Sequence, residues 1–241
     1  MFRLTAIRET FEESGILLHK TGTEAGAFSF KDREMLSDWR IRVHKEPSSL
    51  LRLYREIEAV PDLWSLVEWA DWLTPTDLHE KGNRRFDTMF YLASLEEVPV
   101  TVQDQLEVTA SQWTDPASCL QQYYDRQLWL APPQVYELSK MLTMTSAADL
   151  ESQARLRQSH GLSTWLPVRV ECEDGRLSLL PGDHMYPDNP DYTGPSGDRS
   201  VDKLLDWNNA SFNEKASQFG TQYFGHEPHF IKVTSSSQIG F

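Results

Sequence analysis

The segment from Phe2 to Leu18 places the strongest restriction on how this chain folds. Its apolar residues recur at the spacing of one helix face, which predicts a helix from about residue 3 to residue 14 with one side against a core. These residues are Leu4, Ile7 and Phe11. Gly15 stands where helices commonly end, because glycine adopts the left-handed backbone conformation without strain. The apolar residues 16–18 then predict a short buried continuation.

The same helix carries three glutamates, Glu9, Glu12 and Glu13. At about 100° per residue, positions i, i+3 and i+4 lie on one face, so the three carboxylates share it. Three like charges at close range repel each other, and a hard divalent cation such as Mg²⁺ relieves the repulsion. Arg8 can reach Glu12 four residues later and help to hold the array. The spacing allows a metal site, but three glutamates on a helix more commonly form an ordinary solvated face.

The balance of charges argues against one class of partner. The chain has 241 residues, with 23 Lys and Arg against 36 Asp and Glu, and a formal net charge of −13. A protein that binds duplex nucleic acid usually carries a basic stripe, and the sequence shows none. An acidic protein can still act on an anionic substrate when a divalent cation screens the repulsion. Because no apolar run has the length of a membrane helix, a membrane is not expected as a partner either.

The cysteines bear on the cellular compartment, whereas neither chain end indicates a location. Cys119 and Cys172 are too few for a disulfide framework and lack metal-ligand spacing, so reduced thiols in an intracellular compartment are expected. The first residues lack the apolar stretch of a signal peptide. Residues 238–241 differ from a peroxisomal address of the Ser-Lys-Leu type.

The rest of the chain alternates between helical and strand-like patterns. A loop rich in Gly and Thr is expected at residues 21–29, and residues 64–75 suit either a strand or a helix. Helices are predicted at residues 33–44, 48–57, 134–144 and 147–159. Strands are predicted at residues 85–95, 98–102, 106–113, 165–171 and 176–180, the last two joined by a hairpin turn. This mixture predicts an α+β fold.

Residues 8–16 resemble the second half of the Nudix signature, with Arg-Glu, a pair of glutamates and a glycine at the signature's spacings. Thr10 departs from the signature, which prefers an apolar residue there. Further short motifs follow the order of one branch of the superfamily, the acyl-coenzyme A diphosphatases called nucleoside diphosphate-linked moiety X motif nineteen. These motifs lie at residues 2–9, 72–75, 84–90, 129–137 and 179–183. The resemblance covers about residues 2–186.

The resemblance implies a Nudix fold, in which a mixed sheet lies between helices. The N-terminal strands and the upstream half of the signature are expected to be missing from this chain. Residues 1–145 are then the C-terminal portion of the hydrolase domain, and residues 146–241 a family-specific C-terminal extension. The family's location implies a peroxisomal or mitochondrial protein.

The resemblance also implies a chemistry. The family uses Mg²⁺ or Mn²⁺ to hydrolyse a phosphoanhydride bond of CoA or acyl-CoA, giving 3′,5′-ADP and 4′-phosphopantetheine or its acyl derivative. The implied metal ligands are Glu9, Glu12 and Glu13, of which Glu9 and Glu12 are also the implied catalytic residues. The small-molecule substrate is the only partner implied.

Some further residues have two interpretations each. Arg84 and Arg85 are candidates to bind the substrate's phosphates or, equally, to brace a strand. Glu107 is a candidate fourth carboxylate, for which a surface glutamate is the simpler interpretation. Three tryptophans, Trp64, Trp69 and Trp72, are expected in the core, with adenine stacking as the alternative.

Two other functions fit the same residues. Nudix specificity lies in loops outside the signature, so the substrate can be another nucleoside diphosphate derivative. An inactive Nudix-like protein that binds a nucleotide or a partner protein also fits, because the front half of the signature is not seen. The loss of N-terminal strands would expose a sheet edge.

Overall fold

The computed structural model describes residues 2–22, 24–28, 30, 32–76, 85–99, 112–172 and 175–193. The described residues divide into two compact units, the first within residues 1–69 and 89–162 and the second within residues 70–88 and 163–241. Helices and sheets occur together, so the predicted α+β class is confirmed.

The predicted first helix is present as α1 (Phe2–Ser14). Ile7 and Phe11 are fully buried, so the apolar face expected from the sequence packs into the core of the first unit. Gly15 has a φ of 76° and donates its backbone N–H to the Phe11 carbonyl at 2.9 Å. The helix therefore ends at a left-handed glycine, as predicted.

The loop predicted at residues 21–29 is wrong, because most of it is a strand. β1 (Leu17–Thr21) and β2 (Glu24–Phe28) form an antiparallel hairpin in which Thr21 pairs with Glu24. Gly22, with a φ of 58°, lies in the turn between them. Glycine and alanine have a low strand propensity, and pairing with β1 overrides it.

Two predicted helices follow, α2 (Arg33–Lys45) and α3 (Ser49–Glu56). Asp32 caps α2 by accepting the backbone N–H of Glu34 at 2.8 Å. β3 (Val60–Pro61) pairs with β1, which gives a sheet of order β2-β1-β3. One cluster of buried residues joins these elements: Ile7, Phe11, Leu17, Leu18, Leu36, Trp39, Val43, Leu50, Leu53, Tyr54 and Leu66. This core packs α1 against α2.

The segment that the sequence left open, residues 64–75, contains the strand β4 (Val67–Leu73). β5 (Asp87–Leu92) lies within the predicted strand at residues 85–95, and the short β6 (Thr164–Trp165) runs parallel to β4. The order of this sheet is β5-β4-β6.

Three helices lie in the later part of the first unit, α4 (Pro116–Tyr124), α5 (Pro132–Met141) and α6 (Ala147–His160). α5 and α6 were predicted, whereas α4 was not. Its signal was local, since Asp115 caps it by accepting the N–H of Ser118 at 2.9 Å and a proline opens its first turn.

The last predicted hairpin is confirmed. β7 (Val168–Cys172) and β8 (Gly175–Leu179) pair antiparallel, with Val168 opposite Leu179. Of the strands predicted at 98–102 and 106–113, residues 98–99 and 112–113 have no regular structure, and the remainder lies outside the described residues. Among the helices of the described part of the chain, none has both the length and the apolar character needed to cross a membrane.

Candidate active site

The acidic face of α1 gathers two of its three glutamates around one arginine. Arg8 donates through Nη1 to Glu12 Oε1 at 2.6 Å and through Nη2 to Glu9 Oε1. Because both nitrogens belong to one planar guanidinium, the carboxylate oxygens of Glu9 and Glu12 converge on a single positive charge. The predicted reach of Arg8 to Glu12 is confirmed.

Glu12 is the buried member of the acidic face. It is 8% exposed, whereas Glu9 is half-buried and Glu13 is exposed. Its second oxygen, Oε2, lies 3.3 Å from Nδ1 of His44 on α2. Burying a carboxylate is costly unless polar or charged partners replace its water, and Arg8 and His44 lie against both of its oxygens.

The backbone at the end of α1 is held from α2. Arg40 donates through Nε to the Glu12 carbonyl at 2.9 Å, and through Nη2 to the Glu12 and Glu13 carbonyls at 2.5 and 2.8 Å. Leu36 of α2 packs beside Gly15, where a Cβ would lie 3.2 Å from Leu36 Cδ2. The turn that carries the glutamates is therefore fixed by both hydrogen bonds and close packing.

Two of the carboxylate side chains on α1 are suitable ligands for a hard cation. In the part of the chain that the structure describes, no three His, Cys, Asp or Glu side chains group as a metal cluster, so the assignment of all three glutamates stays a prediction. Mg²⁺ is usually held by one or two protein carboxylates, together with waters and substrate phosphates. Glu9 and Glu12 supply that number of carboxylates on one helix face, with one oxygen of each bonded to Arg8 in this structure.

Arg85, a candidate phosphate ligand, is engaged within the second unit. Its Nε donates to the Thr74 carbonyl at 2.9 Å and its Nη1 to the Tyr192 carbonyl at 3.1 Å. These bonds support the bracing interpretation, and a role in substrate binding stays a prediction. Arg84 and Glu107 lie outside the described residues.

A pair of acids lies on neighbouring strands of the second unit. A hydrogen bond to the Asp71 side chain, partial loss of hydration and the charge of Asp71 raise the pKa of Asp87 above its ordinary value. Asp71 Oδ2 also accepts from Thr164 Oγ1 at 2.6 Å. This pair links β4, β5 and β6 through side chains.

The three tryptophans differ in burial. Trp69 and Trp72 are buried, which agrees with the expected core position. Trp64 is 77% exposed, so the core prediction is wrong there. Its backbone N–H donates to Asp62 Oδ1 in a turn before β4, and its ring lies at the surface, where the Arg3 guanidinium is 5.8 Å from the ring centroid.

Comparison with known families identifies the domain around this face. The NUDT19 Nudix domain matches residues 1–141, and the NUDT19 C-terminal domain matches residues 169–210. The chain belongs to the NUDT19 Nudix family.

Three relatives in this family carry the name acyl-coenzyme A diphosphatase NUDT19. The Gallus gallus protein is 41% identical over 220 residues, which cover 85% of this chain and 58% of that protein. The Xenopus laevis protein is 39% identical, covering 80% of this chain and 52% of its own length. The Homo sapiens protein is 36% identical, covering 79% and 52%. The chain thus spans little more than half the length of these relatives, and no solved structure matches it.

Membership of the NUDT19 family confirms the predicted resemblance and the Nudix fold. Nudix hydrolases generally need divalent metal ions. The division of the chain at residue 145 stays a prediction.

Two residues beside the acidic face were not identified as functional candidates from the sequence. Arg40 and His44 lie 28 and 32 positions after Glu12, too far along the chain for local spacing to connect them to it. Their spacing of four on one helix face, shared with buried Leu36, was the available signal. It indicates that they face the same neighbour, but only the packing of α2 on α1 shows which one.

Proposed function

We propose that this chain hydrolyses the diphosphate of CoA and acyl-CoA with a divalent cation bound on the acidic face of α1. The products are 3′,5′-ADP and 4′-phosphopantetheine or its acyl derivative. The observation that carries the proposal is that Glu9 and Glu12 bring their carboxylates together on one face of α1, within a NUDT19 Nudix domain. The names of the relatives, acyl-coenzyme A diphosphatases, support the choice of substrate.

Glu9 and Glu12 would hold Mg²⁺ or Mn²⁺ through carboxylate oxygens, and the exposed Glu13 is the third candidate ligand. Oxygen donors of this kind suit both ions. When bound, the ion neutralises phosphoryl oxygens and makes a water molecule more acidic.

The chain's own residues orient the acidic face. Arg8 offsets the repulsion between Glu9 and Glu12 and holds the two carboxylates together through a rigid fork. Glu12 cannot turn freely, because it is buried with Arg8 and His44 against its two oxygens. Charges that are already oriented need no rearrangement when the substrate arrives, and catalysis of phosphoryl transfer rests mainly on such positioning.

The substitution Glu13→Gln tests the proposal. Glu13 is exposed, so the change removes a charge without opening the core. The full chain is incubated with CoA and Mg²⁺, and release of 3′,5′-ADP is followed by chromatography. We expect turnover to fall by about 100-fold or more, as for loss of a group that holds a catalytic metal, with an unchanged melting temperature.

Glu56→Gln is the matched control, since Glu56 is an exposed glutamate near the end of α3. It should leave turnover within about two-fold. An unchanged rate in Glu13→Gln would remove Glu13 from the mechanism. If CoA gives no product but another nucleoside diphosphate derivative is hydrolysed, the proposed substrate is wrong and the proposed reaction class is right.

The second candidate is an inactive Nudix-like protein that binds a nucleotide or a partner protein. The ion pairs favour it, because Arg8 already neutralises part of the charge that attracts a metal. Thermal unfolding with and without Mg²⁺ and CoA separates the two candidates. A well-folded protein that releases no product, and whose melting temperature does not change when the metal is added, would establish the inactive alternative.

A further inference from the structure

We propose that Arg40 is a positioning residue that holds the last turn of α1, and with it Glu12 and Glu13, in the orientation needed to bind the metal. The inference rests on the proposed metal site. It concerns a side chain on another helix, whose hydrogen bonds reach the backbone carbonyls of the glutamates.

The hydrogen bonds at the end of α1 show why this turn depends on Arg40. The last four carbonyls of a helix lack partners within the helix. At the end of α1, the Phe11 carbonyl accepts the N–H of Gly15 at 2.9 Å. The next two carbonyls, of Glu12 and Glu13, accept from Arg40. The two residues proposed to bind metal at the helix end therefore have their backbone held by one side chain.

The guanidinium also suits its position electrostatically. Carbonyls at a helix end carry partial negative charge, and a cation there is stabilising. Arg40 is 9% exposed, so few water molecules compete for its donors. Its fork reaches two successive carbonyls at once, which a lysine ammonium on a flexible stem cannot do with the same geometry.

One face of α2 contacts the end of α1 at three successive positions. Leu36, Arg40 and His44 are spaced by four residues and therefore lie in one row. Leu36 packs beside Gly15, Arg40 binds the Glu12 and Glu13 carbonyls, and His44 lies against the Glu12 carboxylate. Arg40 is the middle contact of this row, so its loss removes the hydrogen bonds that hold the backbone of Glu12 and Glu13.

Binding of Mn²⁺ to the full chain, measured by electron paramagnetic resonance, tests the role without relying on activity. Arg40→Lys keeps the charge but not the fork, and we expect its Mn²⁺ dissociation constant to rise about 10-fold. Arg40→Gln should weaken binding further. In CoA hydrolysis at saturating metal, kcat should fall while KM for CoA stays within about two-fold.

Arg42→Gln and Arg42→Lys are the matched controls. Arg42 is on the same helix, is exposed, and stacks on the ring of Trp39 at 5.1 Å instead of reaching α1. Both variants should bind Mn²⁺ as the parent chain does. If Arg40→Gln fails to fold, Arg40→Lys decides the question.

An unchanged Mn²⁺ dissociation constant in folded Arg40→Lys would overturn the inference, as would equal weakening in the Arg42 variants. A parent chain that binds no Mn²⁺ would overturn both the metal site and the role of Arg40. A parent chain that binds Mn²⁺ but releases no product from CoA would overturn the proposed reaction alone, and the same titration would still decide the role of Arg40.

Discussion

Replacing Gly15 by alanine tests how the end of α1 is docked on α2. Gly15 has a φ of 76°, a left-handed conformation that costs an L-amino acid about 1 kcal/mol or more. The new Cβ would lie 3.2 Å from Leu36 Cδ2, so the leucine must leave its rotamer or α2 must move by a few tenths of an ångström. A displaced rotamer costs about 1 kcal/mol. Alanine also restricts the unfolded chain, which offsets about 0.5 kcal/mol.

These contributions predict that Gly15→Ala lowers the free energy of unfolding by about 1.5 kcal/mol. Gly22→Ala is the matched control. Gly22 has a φ of 58°, and among the described residues no atom lies within 4 Å of its added Cβ. The control has the same backbone cost and the same chain-entropy gain as Gly15→Ala but no crowded contact. Its free energy of unfolding should therefore fall by only about 0.5 kcal/mol. The difference between the variants measures the contact between Gly15 and Leu36.

Urea unfolding followed by tryptophan fluorescence is the assay, with an unchanged slope as the sign that only stability has changed. Leu36→Ala provides a second test, because removal of the crowded side chain should make its combination with Gly15→Ala less damaging than the separate losses suggest. Equal losses for Gly15→Ala and Gly22→Ala, or a gain in stability for Gly15→Ala, would refute the reasoning. The close approach would then have no energetic consequence.

Two further predictions concern hydrogen bonds, one in each unit. In the first unit, the Tyr54 hydroxyl donates to the Leu18 carbonyl at 2.5 Å, and burial raises the pKa of the phenol. Tyr54→Phe should cost about 1 to 2 kcal/mol in urea unfolding, and a loss below about 0.5 kcal/mol would contradict this. In the second, the raised pKa of Asp87 means that its protonated form stabilises the fold below the ordinary Asp pKa of about 4, and that this contribution is lost as pH rises through the raised value. Asp87→Asn should therefore gain stability relative to the parent chain between pH 4 and pH 7, and parallel urea midpoints across that range would exclude the effect.

The sequence alone was sufficient for features that depend on residues a few positions apart. The apolar and acidic faces of α1, its end at Gly15 and the pair Arg8–Glu12 all follow from the helical repeat. The hairpin of β7 and β8 follows from two strand-like runs around a turn. The family resemblance came from the same local spacing.

Tertiary structure decided the features that depend on distant partners. β2 forms in a Gly- and Ala-containing segment because β1 lies beside it, and Trp64 is exposed because the turn at Asp62 places it outside the core. The sequence could place three carboxylates on one face, but not show that α2 would bring Arg40 and His44 against two of those glutamates. Helical periodicity specifies which residues share a surface, whereas the surface that covers them is selected by the packing of the whole core.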